Sequence, residues 1–140
     1  MGKILAIDFG LKRIGLAISD ENQKFAFGRP TLNVRHWQDS IIKIKTLSTE
    51  EGVQAIVVGW PKALAGSVSG PEGDLKKFIN ELSQQTSLPV DLLDERLTSQ
   101  MADRLMRDMP GVSSKPKGKR DQLAATIILQ NYLDQKALKS

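Results

Sequence analysis

The sequence predicts an α/β domain on a mixed central sheet: three leading strands in an antiparallel meander, later strands added in parallel, and helices on the flanks. Three observations carry this expectation. Up to residue 35 the chain holds apolar runs broken by turn residues, with no helical spacing. From residue 36 onward, segments of helical apolar spacing alternate with short apolar runs. At 140 residues the chain has the size of one domain with a proper core, expected to span 1–140.

The elements follow in order. Lys3–Phe9 and Ile14–Ser19 read as strands joined hairpin-fashion at Gly10. Phe25, Phe27, Leu32 and Val34 mark a third strand, disturbed at Gly28-Arg29-Pro30. Trp37, Ile41, Ile44 and Leu47 repeat at helical spacing within His36–Glu51, and Gly52 stands where a C-cap belongs. Here Trp37 is expected in the core. Gln54–Val58 is a short strand ended by Gly59-Trp60-Pro61, where Trp60 either packs or stacks a base. A loop rich in Gly and Ser follows to Gly73. Leu75, Phe78, Ile79 and Leu82 mark a second helix, and Pro89 opens the strand Val90–Leu93. Leu97, Met101, Leu105 and Met109 mark a third helix; after a basic loop, Leu123–Leu133 form the last.

Composition excludes several classes. Apolar residues make up 40% and charged residues 26%, the balance of an ordinary globular chain. There is no cysteine, so disulfides, thiolate-bound zinc and a thiol nucleophile are all excluded, and a reducing cytoplasm is the expected location. Asp8 cuts the first apolar run too early for a signal peptide. No apolar run is long enough for a membrane span, and Ala6 stands where a myristoylation signal requires Ser or Thr. The net charge of +4 is mild. Its distribution is less so: Lys115, Lys117, Lys119 and Arg120 crowd one short segment.

The chemistry lies in acids placed at element ends. Asp8 closes the first strand, and a carboxylate at the end of a buried strand costs stability unless something engages it. Asp94 and Glu95 close the last strand. Asp121 opens the final helix and shares a face with Ala124, Ala125 and Ile128, where the small alanines permit close approach to the sheet. With the first strand central, Asp8, Glu95 and Asp121 can converge at one end. Converging carboxylates repel and raise one another's pKa unless cations sit among them. Hard oxygen ligands select Mg²⁺ or Mn²⁺, and two such ions about 3.5–4 Å apart can clamp the attacking water and the leaving oxygen of a phosphodiester. Such chemistry needs no histidine base, and the chain's one histidine is His36. Lys117, Lys119 and Arg120 on one side, and Lys12 and Arg13 on the other, are placed to meet phosphates. Each acid alone has a plainer reading, as a turn acid, a solvated glutamate or a helix-start acid on the dipole. Asp94 reads as a strand-end acid, Arg96 as a support for the acids or a carbonyl, and the basic loop alone as solvated surface.

Four blocks occur in order across nearly the whole chain: Asp8 to Ala17 (DFGLKRIGLA), Gly59-Trp60-Pro61, Asp94 to Thr98 (DERLT) and Lys117 to Asp121 (KGKRD). Together they resemble the signature blocks of the YqgF/RuvX family. The resemblance implies an RNase H-like fold, kinship with Holliday-junction resolvases, and a nuclease of ribosome biogenesis that processes the 5′ end of pre-16S rRNA. It implies that Asp8, Glu95 and Asp121 are the catalytic, metal-holding acids. Leu11 departs from the family pattern where Thr is usual, and Ala65 where Asp or Asn is usual; neither touches an acid.

Rival readings fare less well. Asp8-Phe9-Gly10 invites a protein-kinase comparison, yet the Gly-rich loop, strand lysine and HRD motif are missing. Sugar kinases and actin-like ATPases also place Asp and Gly after a first strand, but clasp ATP between two such domains. Two alternatives stay open: a Holliday-junction resolvase, which favours a homodimer over a monomer, and a nucleic-acid-binding module without catalysis. Nothing in the residues separates pre-rRNA from branched DNA as partner.

Overall fold

An apolar run without polar alternation belongs where a strand is covered on both faces, and Ile4–Ile7 occupies that place. The computed structural model of the chain describes residues 2–10, 12–60, 71–94 and 117–139, with backbone alone at 60, 71, 72, 94, 117–121 and 139. Strand β1 (Lys3–Asp8) is central in a five-stranded sheet of order β3-β2-β1-β4-β5. Strands β2 (Arg13–Ser19) and β3 (Ala26–Asn33) complete an antiparallel meander, with Asp8 opposite Gly15 and Leu16 opposite Arg29. On the other side β4 (Val53–Trp60) and β5 (Val90–Asp94) run parallel to β1.

Alternation divides the core in two. Leu5, Ile7, Ile14, Leu16, Ile56 and Val58 point to one face, under α1 (Gln38–Glu51) and α2 (Pro71–Thr86), where Trp37, Ile44 and Phe78 are buried. Ile4, Ala6, Ala17 and Val57 point to the other, under α3 (Lys117–Lys139), and meet Ala125, Ile128, Leu129 and Leu133. Small residues on the sheet seat α3 closely. At Gly28 a Cβ would lie 2.4 Å from Gln122 Nε2, so glycine leaves the room that this side chain takes where strand meets helix. Further along, the Ala26 N–H donates to Gln130 Oε1 at 3.1 Å, and Gln130 Nε2 donates to the Lys24 carbonyl. Tyr132 Oη donates to Asp91 Oδ2 at 2.6 Å, tying α3 to β5. Burial, together with that carboxylate, pushes the phenol pKa up to about 12.

The expected fold class and strand order hold, with differences at element ends. Gly52 caps α1 as expected, its N–H directed to the carbonyls of Ser48 and Thr49. Strand β3 continues through Gly28-Arg29-Pro30, because a register shift opposite Ile14–Leu16 absorbs the disturbance and an edge strand tolerates proline. Helix α2 starts at Pro71, so residues 71–73 are helical rather than loop. Proline at a first helical position forfeits no hydrogen bond. Likewise α3 starts at Lys117, which corrects the expected basic loop: Lys117 to Arg120 form its first turn, and Asp121 falls within the opening turns. A run of charged residues carries no apolar period, so nothing in the spacing marked that start. The third helix expected over Leu97–Met109 lies outside the described residues. Among the described residues, no helix is long and apolar enough to cross a membrane.

Candidate active site

Asp8 owes its position to the residues on either side. Strand alternation places it on the face of Ile4 and Ala6, the face that α3 covers. The next residue, Phe9, is packed against the opposite core. Its ring centroid lies 4.7 Å from Phe78 and 6.4 Å from Trp37, edge-on to the indole. Trp37 is held in turn by Phe78 at 5.9 Å and by its Nε1–H, which donates to Asp74 Oδ1 at 3.3 Å. Aromatic packing of this geometry contributes about 0.5–1.5 kcal/mol per pair beyond area burial, so the end of β1 resists twisting. Gly10 then turns the chain so tightly that a Cβ would come within 2.4 Å of the Arg13 carbonyl oxygen. Asp8 is thus half-buried between a fixed ring and a tight turn.

Helix α3 brings its first turns to the same end. Gln122 meets Gly28, Gly28 pairs with Ala17, and Ala17 pairs with Ala6. Later residues pack progressively away: Gln130 at Lys24 and Ala26, then Lys136 Nζ at Gln23 Oε1. The helix therefore runs antiparallel to β1, and position 121 sits one residue before the row that contains Ala6. Asp8 lies about 6.6 Å beyond Ala6 along the strand, at two residues' rise. Position 121 also continues the helical face of Ala125 and Ile128, which are fully buried against the sheet.

The third expected acid is reached by register. Trp60 pairs with Asp94 and Gly59 with Leu93, so β5 ends level with β1, two strands across, or about 9.6 Å. Leu93 and Asp91 both meet α3, which assigns odd positions of β5 to the face of Asp8 and position 94 to the other. Glu95 and Arg96 lie outside the described residues, as do Leu11 and Ala65. Among the described residues, no three Asp, Glu, His or Cys side chains group to hold a metal. Lys12 and Arg13 are exposed beside Asp8 in the turn that follows it, and the backbone at Lys117, Lys119 and Arg120 stands in the first turn of α3. Trp37 is in the core as its spacing indicates, and His36 is exposed ahead of α1. The side chain of Trp60 falls outside the described set. What sequence reasoning missed is the Phe9–Trp37–Phe78 cluster and its Asp74 partner; the only signal was an aromatic directly after the acid.

A central strand that opens an antiparallel meander on one side, has two parallel strands on the other, and ends in an acid at its carboxyl end defines an RNase H-like α/β fold. The solved structure of Thermus thermophilus RuvC in complex with a Holliday junction substrate superposes with a TM-score of 0.63 at 14% identity, over 100% of this chain and 98% of that one. The Fowlpox virus resolvase in complex with Holliday junction DNA superposes with a TM-score of 0.61 at 12% identity, over 96% of this chain and 98% of that one. At such identities the likeness concerns the fold. Sequence relatives are nearer. A "Putative pre-16S rRNA nuclease" of Chloroflexus aurantiacus is 42% identical over 132 residues, 94% of this chain and 86% of the relative. A protein of the same name from Thermoanaerobacter pseudethanolicus is 39% identical over 134 residues, 94% of this chain and 96% of the relative. Residues 2–135 match the RuvX family of Holliday junction resolvases, and the chain belongs to that family.

Proposed function

We propose that this protein is a divalent-metal-dependent nuclease that hydrolyses phosphodiester bonds in the cytoplasm, with precursor 16S rRNA cut at its 5′ end as its substrate. The observation that supports the reading is that Asp8, on the α3 face of the central strand, and the opening turns of α3 lie toward the same end of the sheet. A strand period carried one residue past Asp94 returns to the face of Leu93, which favours Glu95 over Asp94 as the third acid. The donor set fits a hard cation: every candidate ligand is a carboxylate, and the chain has no cysteine. Asp8, Glu95 and Asp121 would hold Mg²⁺ or Mn²⁺, which when bound supplies Lewis acidity and a water of lowered pKa. Within the chain, Asp8 is oriented by the fixed Phe9 ring. Lys12 and Arg13 on one side, and Lys117, Lys119 and Arg120 on the other, would bind the phosphates that flank the scissile bond.

The resolvase-like fold and family support a second reading, in which the same acids cut a four-way DNA junction and the active form is a homodimer with two sites. One experiment addresses both. The purified protein is incubated with a precursor 16S rRNA fragment and with a four-way junction, each in Mg²⁺, Mn²⁺ or EDTA. The expected result is metal-dependent cleavage of the RNA that Asp8→Asn, Glu95→Gln and Asp121→Asn each abolish while binding in EDTA survives. Asp94→Asn should be milder. Paired, symmetric cuts in the junction alone would transfer the site to the second reading. Binding without cleavage of either substrate would leave a non-catalytic module and end both.

A further inference from the structure

Edge strand β3 carries a surface that the proposed site does not use. Phe25 and Phe27 are 62% and 55% exposed, while Ala26 between them turns into the α3 core. The two rings therefore leave the same side of the chain, about 6.6 Å apart along it. Phe27 pairs with Ile18, and Ile18 with Leu5, so the rings stand at the open end of a buried row on the α1 face. Arg29 follows two residues on, opposite Leu16 and nearer the end that holds Asp8. Scattered exposed apolar residues need no explanation. Two rings at alternate positions with a guanidinium in line form an ordered stripe.

The neighbouring charges decide what the stripe fits. The Asp20 carboxylate accepts the N–H groups of Lys24 and Phe25 at 2.8 and 2.9 Å and so belongs to the turn. Glu51 is taken by Lys3 at 2.8 Å, which leaves Arg29 NH2 as its looser partner at 3.9 Å. Part-exposed Arg29 thus stands in line with the rings, and exposed Lys24 precedes them in the chain. A second protein strand adding to this edge would meet Pro30, which has no N–H, and the register shift beside it. Aromatic faces with a cation in line suit unpaired bases on a phosphate backbone.

We infer that Phe25, Phe27 and Arg29 form a stacking platform for single-stranded nucleic acid, on the face of the sheet opposite Asp8 and running toward the end that holds it. The inference rests on the proposed reading only in that nucleic acid is the ligand; it needs neither the metal nor cleavage.

The test measures binding of labelled single-stranded 12-mers of RNA and of DNA, and of an RNA duplex, by the full chain in EDTA. In Phe25→Leu/Phe27→Leu the apolar area is kept and the π faces are lost; affinity for both single strands should fall about tenfold or more, with duplex affinity unchanged. Phe25→Tyr/Phe27→Tyr should restore binding to within about threefold of the parent, because its rings stack. Arg29→Gln should lower the log–log salt slope by about 0.7. Equal single-strand affinity in the Leu variant overturns the platform, as does an equal loss on duplex. A change in sedimentation on Leu substitution would make the patch a contact between copies and also overturn it. If the parent binds no nucleic acid at all, the platform and the proposed function fail together. Binding by the parent that is indifferent to Phe25 and Phe27 fails the platform alone.

Discussion

Replacing Gly28 with alanine should uncouple α3 from the sheet and, through it, position 121 from Asp8. The added Cβ would lie 2.4 Å from Gln122 Nε2, 2.6 Å from Cγ and 2.9 Å from Cδ. Ordinary van der Waals contact begins near 3.4 Å, so something must retreat by about 1 Å, the spacing at which dispersion turns favourable again. Because Cγ clashes as well as the amide, turning the amide alone cannot clear the space. Overpacking of this kind costs about 1–3 kcal/mol. A displacement of about 1 Å at a site remote from the chemistry can cost on the order of 100-fold in rate. Gly28→Ala should therefore unfold at lower denaturant concentration and lose cleavage by roughly 10- to 100-fold. Gly28→Ala/Gln122→Ala removes all three clashing atoms and should recover cleavage. It should also gain about 0.4–1 kcal/mol from the stiffer unfolded chain. Denaturant unfolding and single-turnover cleavage of the same RNA report the two quantities. A Gly28→Ala protein with parental stability and rate would show that Gln122 steps aside into another rotamer, and that the height of α3 does not govern the site.

Two further outcomes are expected. Lys117→Ala/Lys119→Ala/Arg120→Ala should weaken binding alike across RNA sequences and flatten the salt dependence by about 0.7–0.9 per lost phosphate contact; an unchanged slope would make the run solvated surface. Tyr132 has a folded pKa of about 12, above its ordinary 10, so the stability it contributes is fully present below pH 10 and is lost as pH rises from 10 toward 12. Tyr132→Phe should show less decline over that window in denaturant titrations, and parallel curves would remove the Asp91 contact from the account.

Much of the fold was legible because its signals are local. The unbroken Ile4–Ile7 run marked a strand covered on both sides, and the spacing of Trp37, Ile41, Ile44 and Leu47 with Gly52 after it marked α1 and its end. What escaped were boundaries set by tertiary support. Pro71 and Lys117 begin their helices on turns whose residues carry no apolar period, and β3 survives Pro30 because a neighbouring strand and a shifted register hold it. In the site, Asp8 was legible from the change of chemistry at the end of an apolar run. The ring that fixes it was not, since Phe9, Trp37 and Phe78 are brought together only by folding. Alternation alone shows that Phe25 and Phe27 share a side, but only the placed helices show that, among the described residues, none covers it.

The seat of α3 on β1, β2 and β3 has a consequence for the order of assembly. The meander of β1, β2 and β3 joins neighbours in sequence, so it can form early and fast. The helix that completes the opposite face comes from the far end of the chain; its Gln130 reaches Ala26 across 104 residues. During synthesis, therefore, Asp8 emerges long before position 121 exists to stand beside it. On the proposed reading, a nascent chain that has exposed Asp8 cannot cut until α3 has emerged and docked.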